Sequence, residues 1–254
     1  MSLNIDLSEY AFYLWTSKTP PLKYLIELLK DLLTEVNLEC TPKGIKIKAV
    51  DPSLVVLIHC ILNHNKFEKY HCENNIVLGL NMEDLFKIIK NMENNDTLKL
   101  FVKNDNVNRL GIETFSKDEN TVDTTYLNLL DLQYENITVP SQTFNSVISI
   151  PSTRFQKICR TIYNFSEKIE IECENNKLKF RGCNIMVKQE IVIKPTDNGM
   201  KFIKNEKPNE ITQAFFELKY LILFSKCCNL SNIIQNYQIE LVIYNQRIST
   251  LPKK

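Results

Sequence analysis

The segment Leu22-Lys23-Tyr24-Leu25-Ile26-Glu27-Leu28-Leu29-Lys30-Asp31-Leu32-Leu33 decides the fold, because the chain repeats both this segment and the residues C-terminal to it. Its apolar residues recur at the i, i+3, i+4, i+7 spacing of an amphipathic helix. Strand-like stretches come next at 36–40 and 44–47. At a constant offset of 133 residues, a second helix-like segment begins at Phe155, and strand-like stretches return at 169–173 and 177–180. This order predicts an internal duplication.

The later parts of the two halves also correspond, although the offset drifts. A second helix at 82–90 corresponds to 218–226, and the strands at 98–102 and 109–112 correspond to 239–243 and 247–250. Each half is thus predicted to contain a helix, several strands, a second helix and more strands, which makes the fold class α+β. The predicted boundaries are an N-terminal extension at 1–11, a first domain at 12–128, a connector at 129–143 and a second domain at 144–254.

All four predicted helices carry basic residues on the face opposite their apolar stripe, although the whole chain has a formal net charge of only +1. Ordinary solvated helix faces would also look like this. A duplication that repeats the basic residues on every helix favours a shared surface, which would attract phosphates without reading base sequence.

Several classes of protein are disfavoured. No apolar run reaches the roughly 18 residues that span a bilayer, and the N-terminus lacks the basic and apolar regions of a secretory signal, so a soluble intracellular protein is expected. Cys60, His64, His71 and Cys72 could be interpreted as a zinc site, but their spacing fits no common zinc module, and buried thiols with loop histidines are expected instead. No phosphate loop, nucleophile elbow or zinc-protease motif occurs, so no enzyme and no cofactor are expected.

The ordered fragments resemble a known family. Leu22 to Leu32, Gly44 to Asp51, Phe67 to Cys72, Leu129 to Leu132, Pro151 to Arg160 and Leu218 to Leu221 together are similar to the eukaryotic and viral type of DNA sliding clamp, the proliferating cell nuclear antigen (PCNA) family. The resemblance covers nearly the whole chain after residue 11. It implies a homotrimeric ring around duplex DNA, with helices lining the hole and sheets outside, which acts as a DNA polymerase processivity factor.

The resemblance also implies site residues and partners. The basic positions that it places toward DNA are Lys23, Lys30, Lys87, Lys90, Lys157, Arg160, Lys219 and Lys226, with Arg154 beside them. A pocket for segments of client proteins is expected at Val50, Leu54, Val55, Leu57, Ile137 and Val139. Subunits are expected to join through Tyr126, Leu127, Asn128 and Leu129 of one copy and Met186, Val187, Ile191 and Ile193 of the next. Expected partners are double-stranded DNA, DNA polymerase, other replication and repair enzymes and a clamp loader, at a nuclear or viral replication site and away from membranes.

Two other interpretations remain open from the sequence. A non-replicative adaptor with the clamp fold, of the checkpoint or transcription-factor type, would keep the fold while losing the homotrimer or the pocket. A structural protein without DNA contact is the third possibility, and the basic helix faces speak against it.

Overall fold

The computed structural model describes residues 6–133, 146–206, 210–225 and 238–243. The chain divides into two compact units, residues 1–139 with 232–243 and residues 140–231 with 244–254. Every strand pair is antiparallel.

The first unit contains two helices and two five-stranded sheets. Its elements in chain order are β1 (Tyr10–Thr16), α1 (Thr19–Leu32), β2 (Glu35–Thr41), β3 (Gly44–Val50), β4 (Val56–Asn63), β5 (Lys69–His71), β6 (Ile76–Asn81), α2 (Met82–Ile89), β7 (Thr97–Lys103), β8 (Asn106–Ser116) and β9 (Thr121–Asn128). One sheet has the order β5-β1-β7-β8-β9. The other runs β4-β3-β2-β6 and is extended beyond β4 by a strand from late in the chain, β16 (Gln238–Ile243).

The second unit repeats this arrangement. Its elements are β10 (Ser146–Ser149), α3 (Ser152–Tyr163), β11 (Lys168–Glu174), β12 (Lys177–Cys183), β13 (Lys188–Ile193), β14 (Lys201–Asn205), β15 (Thr212–Glu217) and α4 (Leu218–Ser225). The order β13-β12-β11-β15 matches β4-β3-β2-β6, and the pair β10-β14 matches β1-β5. The duplicated α+β fold predicted from the sequence is therefore confirmed.

The helices form where their sequences favour them. Pro20 and Pro21 occupy the first turn of α1, where a missing N–H costs little. The Asn81 side chain caps α2 by accepting a hydrogen bond from the Asp84 N–H at 3.1 Å. The predicted apolar stripes of α1 and α2 lie in the core, but Phe86, like Phe155, Ile222 and Phe224 of the later helices, is half-buried rather than buried. Each of these side chains therefore keeps part of its surface open to solvent.

The N-terminal boundary differs from the prediction. Residues 1–11 were expected to be a loose extension, yet β1 begins at Tyr10 and a short 3-10 turn covers Leu7–Glu9. The Asp6 carboxylate accepts hydrogen bonds from the Ser8 N–H and hydroxyl at 3.0 and 2.6 Å. The Asn104 N–H donates to the Glu9 carbonyl at 3.0 Å, so the turn is fastened to the β7–β8 hairpin.

The C-terminal boundary differs too. The segment 239–243 was assigned to the second domain, because it was matched to the strand at 98–102. In the structure, residues 98–102 lie within β7. The backbone of β16 instead pairs with β4 of the first unit, with Leu241 opposite Ile58. Only one edge of β4 is occupied by its sequence neighbour β3, and an open edge accepts any extended segment that reaches it. Among the described helices, none is long and apolar enough to cross a membrane.

Candidate nucleic-acid and partner interfaces

Helix α3 presents the strongest basic face. Arg154, Lys157 and Arg160 are spaced three residues apart and are all exposed, and the helix contains no Asp or Glu. Its opposite side buries Ile158, Cys159 and Ile162 against the second unit. Three exposed cations with no acidic residue in the same helix give this face a local positive charge, which attracts a polyanion such as the phosphate backbone.

Helices α2 and α4 add exposed cations. Lys87 lies 3.3 Å from the Asp84 carboxylate, and both side chains are more than half exposed, so solvent weakens the pair. Lys90 follows at the C-terminus of α2 and is exposed. The Lys219 ammonium of α4 lies 4.7 Å from the centroid of the Tyr220 ring. Lys226, the remaining predicted position on this helix, lies outside the described residues.

Lys23 and Lys30 of α1 differ from the expectation of an open basic face. The Lys23 ammonium donates a hydrogen bond to the Met92 carbonyl at 2.8 Å. Lys30 pairs with Asp31 at 2.8 Å and lies 4.8 Å from the centroid of the Phe86 ring. The hydrogen bond with Asp31 raises the pKa of Lys30. Both side chains are half-buried because their aliphatic parts cover the seam between α1 and α2, so DNA would compete with internal partners for these two cations.

The β3–β4 loop is organised around the buried carboxylate of Asp51. It accepts hydrogen bonds from the backbone N–H groups of Ser53, Val55 and Val56 at 3.2, 2.8 and 2.6 Å, and from the Ser53 hydroxyl. Leu54 at the tip has a φ of 58° and is 78% exposed. The left-handed conformation is unfavourable for a leucine, so the loop displays an apolar side chain at a cost in backbone energy.

The other predicted pocket residues are distributed around this loop. Val50 and Val55 are half-buried at its two ends. Leu57 is buried in β4, because the strand turns its side chain into the core, and it cannot line an open pocket. Ile137 and Val139 lie outside the described residues.

The first residues of the connector are fixed to the first unit by backbone contacts. The Leu129 N–H donates to the Asn108 carbonyl and the Leu130 N–H to the Gly79 carbonyl, both at 2.9 Å. A Cβ atom on Gly79 would lie 2.1 Å from the Leu130 carbonyl oxygen, so this approach requires glycine. The connector therefore leaves the domain along a defined path across β6.

The residues predicted to join subunits lie at two sheet edges. Tyr126, Leu127 and Asn128 belong to β9, which ends one sheet, and Leu129 follows directly. Met186 and Val187 are exposed just before β13, which ends the sheet of the second unit, and Ile191 lies half-buried within β13. Ile193 is only 1% exposed and belongs to the core, so its side chain cannot contact another subunit.

Cys60, His64, His71 and Cys72, the residues of the possible zinc site, all lie in the described part of the chain. Within the described ranges no three His, Cys, Asp or Glu side chains are grouped to hold an ion. Cys60 and Cys72 are buried, whereas His64 is exposed. Burial raises the pKa of the Cys72 and Cys40 thiols, which favours the neutral form of a core residue over the thiolate that zinc requires.

Sequence reasoning missed two positioning residues, Asp51 and Gly79. Both had a signal: Asp51-Pro52-Ser53 is a turn sequence in which the Asp side chain bonds to following N–H groups, and an isolated glycine within a strand pattern suggests close backbone approach.

Fold and surface together define a class: a duplicated α+β protein whose helices carry exposed cations and whose sheets end in open edges at β9 and β13. Comparison with known proteins identifies the family. The family models for the proliferating cell nuclear antigen N-terminal and C-terminal domains match residues 16–136 and 138–242. The chain therefore belongs to the PCNA family, and it is a DNA polymerase processivity factor of the sliding-clamp type.

Individual relatives agree with this assignment. The proliferating cell nuclear antigen of Dictyostelium discoideum is 29% identical over 219 residues, which cover 84% of each chain. The "Probable DNA polymerase sliding clamp 1" of Paramecium bursaria Chlorella virus 1 is 29% identical over 239 residues, covering 92% of this chain and 89% of the viral one. The crystal structure of the nuclear antigen from Entamoeba histolytica superimposes with a TM-score of 0.78 at 25% identity, covering 87% of this chain and 86% of that one.

Proposed function

We propose that three copies of this chain close head to tail into a ring around duplex DNA, with the helices toward the DNA and the sheets outside. The observation that carries the DNA contact is α3, where Arg154, Lys157 and Arg160 are exposed and no carboxylate accompanies them. Exposed Lys87, Lys90 and Lys219 extend the same chemistry to α2 and α4.

A lining of this kind suits sliding. A ring stays on DNA by topology, so it needs only loose, sequence-independent attraction to phosphates. Tight contacts would hold it at one place. The lysines of α1 that are already engaged by Met92, Asp31 and Phe86 soften the attraction further.

The ring would be closed by the open edges of β9 and β13, one from each unit. Joining them head to tail is a heterologous contact, and such contacts form either closed rings or open filaments. Leu54 and the connector would offer the apolar site to which a DNA polymerase and other clients bind, and a clamp loader would open the ring. The site of action would be a nuclear or viral replication site, with no cofactor and no catalysis.

The test of topology uses clamp loaded on a nicked circular duplex. The loaded protein should survive a high-salt wash and should leave once the circle is cut, because a linear duplex lets a ring slide off. Retention that is equal on circular and linear DNA would contradict the ring.

The test of the lining compares two matched triple variants. Replacing Arg154, Lys157 and Arg160 with Glu reverses their charge and should reduce loading at least tenfold. It should also make the slope of log K against log salt concentration shallower by up to about three per chain. Reversing the exposed Lys103, Lys177 and Lys201, which lie on strands, changes the net charge equally and should leave loading unchanged. Equal effects of the two triple variants would show that the loss of loading depends on net charge alone.

Oligomeric mass separates this function from a non-replicative adaptor. Sedimentation of the wild type should give three times the 29.7 kDa chain mass. A monomer that assembles only with other clamp-fold chains would favour the adaptor.

A further inference from the structure

The backbone of the two open edges restricts how they can pair. Leu129 N–H donates to Asn108 carbonyl at 2.9 Å, and Asn184 N–H donates to Val187 carbonyl at 2.8 Å. Ladder bonds alternate along antiparallel strands, so odd-numbered residues of β9 and β13 bond inward, and even-numbered residues direct their N–H and C=O groups outward. A second copy can therefore pair β13 with β9 only when even residues lie opposite even residues.

The lengths of the strands leave two alignments. The six residues of β13 fit fully against the eight of β9 when Gln189 lies opposite Thr125 or opposite Leu127. Any other even alignment leaves part of β13 unpaired. The side chains decide between these two.

We infer that Gln189 of one copy lies opposite Thr125 of the next, an inference that rests on the ring proposed above. The Gln189 side-chain oxygen is buried and has no hydrogen-bond partner in the described part of the chain. Thr125 is exposed, and residues in a non-hydrogen-bonded pair approach most closely, so once the Gln189 side chain turns toward the joined edge the Thr125 hydroxyl can donate to its oxygen. Opposite Leu127, the same oxygen would stay unsatisfied, which is unfavourable.

The neighbouring pairs favour the same alignment. It places Val192 opposite Val122, two exposed valines, and Lys188 opposite the exposed ring of Tyr126, where a cation–π contact can form. The alternative places Glu190 opposite Tyr126.

Side chains on the core-facing side of the two paired strands favour the same alignment. In the alternative alignment the Asp123 carboxylate would face Ile193, which lies in the apolar core and is 1% exposed. In the inferred alignment Asp123 faces Ile191 instead, which is itself only half-buried, and Thr121 lies opposite Ile193. The carboxylate keeps more of its hydration there.

Cysteine pairs test the alignment in the full chain. In a background with Cys183, Cys227 and Cys228 changed to Ser, Thr125→Cys is combined in turn with Val187→Cys, Gln189→Cys or Ile191→Cys. These three positions lie on the same face of consecutive pairs, and only a directly opposed pair has the short Cβ separation that a disulfide needs. After mild oxidation we expect intersubunit cross-linking at Gln189→Cys to exceed the other two at least tenfold.

The outcomes distinguish the two levels of proposal. Cross-linking that is greatest at Ile191→Cys or Val187→Cys in a variant that sediments as a trimer overturns the alignment and leaves the ring standing. Monomeric sedimentation of all variants and of the wild type overturns both. A second measurement tests the hydrogen bond: Thr125→Val should raise the dissociation constant about fivefold per interface, which corresponds to ~1 kcal/mol. Thr124→Val, one residue away on the opposite face, should change it less than twofold, and equal effects would overturn the contact.

Discussion

Changing Asp51 to alanine should release the β3–β4 loop and destabilise the first unit. The carboxylate accepts bonds from the N–H groups of Val55 and Val56 at 2.8 and 2.6 Å, and Val56 is fully buried. Hydrogen bonds to a charged acceptor contribute about 1.5–3 kcal/mol each. Relief of the left-handed backbone at Leu54 returns about 1–2 kcal/mol. The expected net loss in the free energy of unfolding is therefore about 3 kcal/mol.

The measurement uses a probe that the chain provides. Trp15, the single tryptophan, lies in β1, so its fluorescence during urea unfolding reports on the first unit. The control is Ser53→Ala, which removes an exposed hydroxyl from the same carboxylate and should cost under about 1 kcal/mol. A second variant, Leu54→Asn, places a residue that tolerates a positive φ at the tip and should be neutral or stabilising. If the free energy of unfolding of Asp51→Ala lies within about 0.5 kcal/mol of the wild-type value, the role of the carboxylate is refuted.

Three further predictions concern other parts of the chain. Gly79→Ala should speed hydrogen exchange at the Leu130 amide at least tenfold, because the new Cβ displaces the connector. Val77→Ala on the same strand is the control and should leave this exchange rate unchanged. An unchanged rate in Gly79→Ala would contradict the idea that the close approach of Leu130 requires glycine. The hydrogen bond from Arg181 holds the pKa of Glu172 below its usual range, so this carboxylate stabilises the fold above its unfolded pKa of about 4.3 and loses that effect as the pH falls below that value and through the lower folded-state pKa. Glu172→Gln should flatten the acid limb of a thermal-unfolding profile, and a profile parallel to the wild type would count against it. Leu54→Ser or Ile137→Ser should weaken the binding of a polymerase-derived peptide about thirtyfold, the equivalent of ~2 kcal/mol, as measured by calorimetry. Val107→Ser, which changes another exposed apolar residue, is the control. Equal affinities of all variants and the wild type would show that clients dock elsewhere.

Periodicity predicted most of the architecture because it reports which side chains are buried. Leu22, Leu25 and Ile26 lie in the core as their spacing requires, and the repeat at an offset of 133 residues marks the two matching sheets. Exposure of charged residues was less predictable. Lys23 and Lys30 occupy the polar stripe of α1, yet their long side chains reach Met92 and Phe86 of the neighbouring segment, and a helical pattern carries no information about that neighbour.

Backbone geometry was the least accessible from the sequence. The positive φ at Leu54 contradicts the preference of leucine and exists because Asp51 fixes the loop. Likewise, pairing of β16 with β4 depends on which edge is open in three dimensions, and similarity between halves of the chain points to a different partner.

The ion pairs on the outer face of β11, β12 and β13 bear on how a nearly neutral chain can attract a polyanion. Lys179 is bound by Glu172 and Glu174, and Arg181 by Glu170, Glu172 and Glu190, so these cations are neutralised where they stand. The three cations of α3, on the other side of that sheet, have no such counterions within their helix. Attraction over one Debye length, about 8 Å in physiological salt, depends on the nearest charges and hardly on the total. If α3 faces DNA as proposed, the unit would act as an electric dipole whose orientation is set by the separation of charge. A substitution on the outer sheet that removed a carboxylate and freed a lysine would then weaken this orientation while adding only one positive charge to the chain.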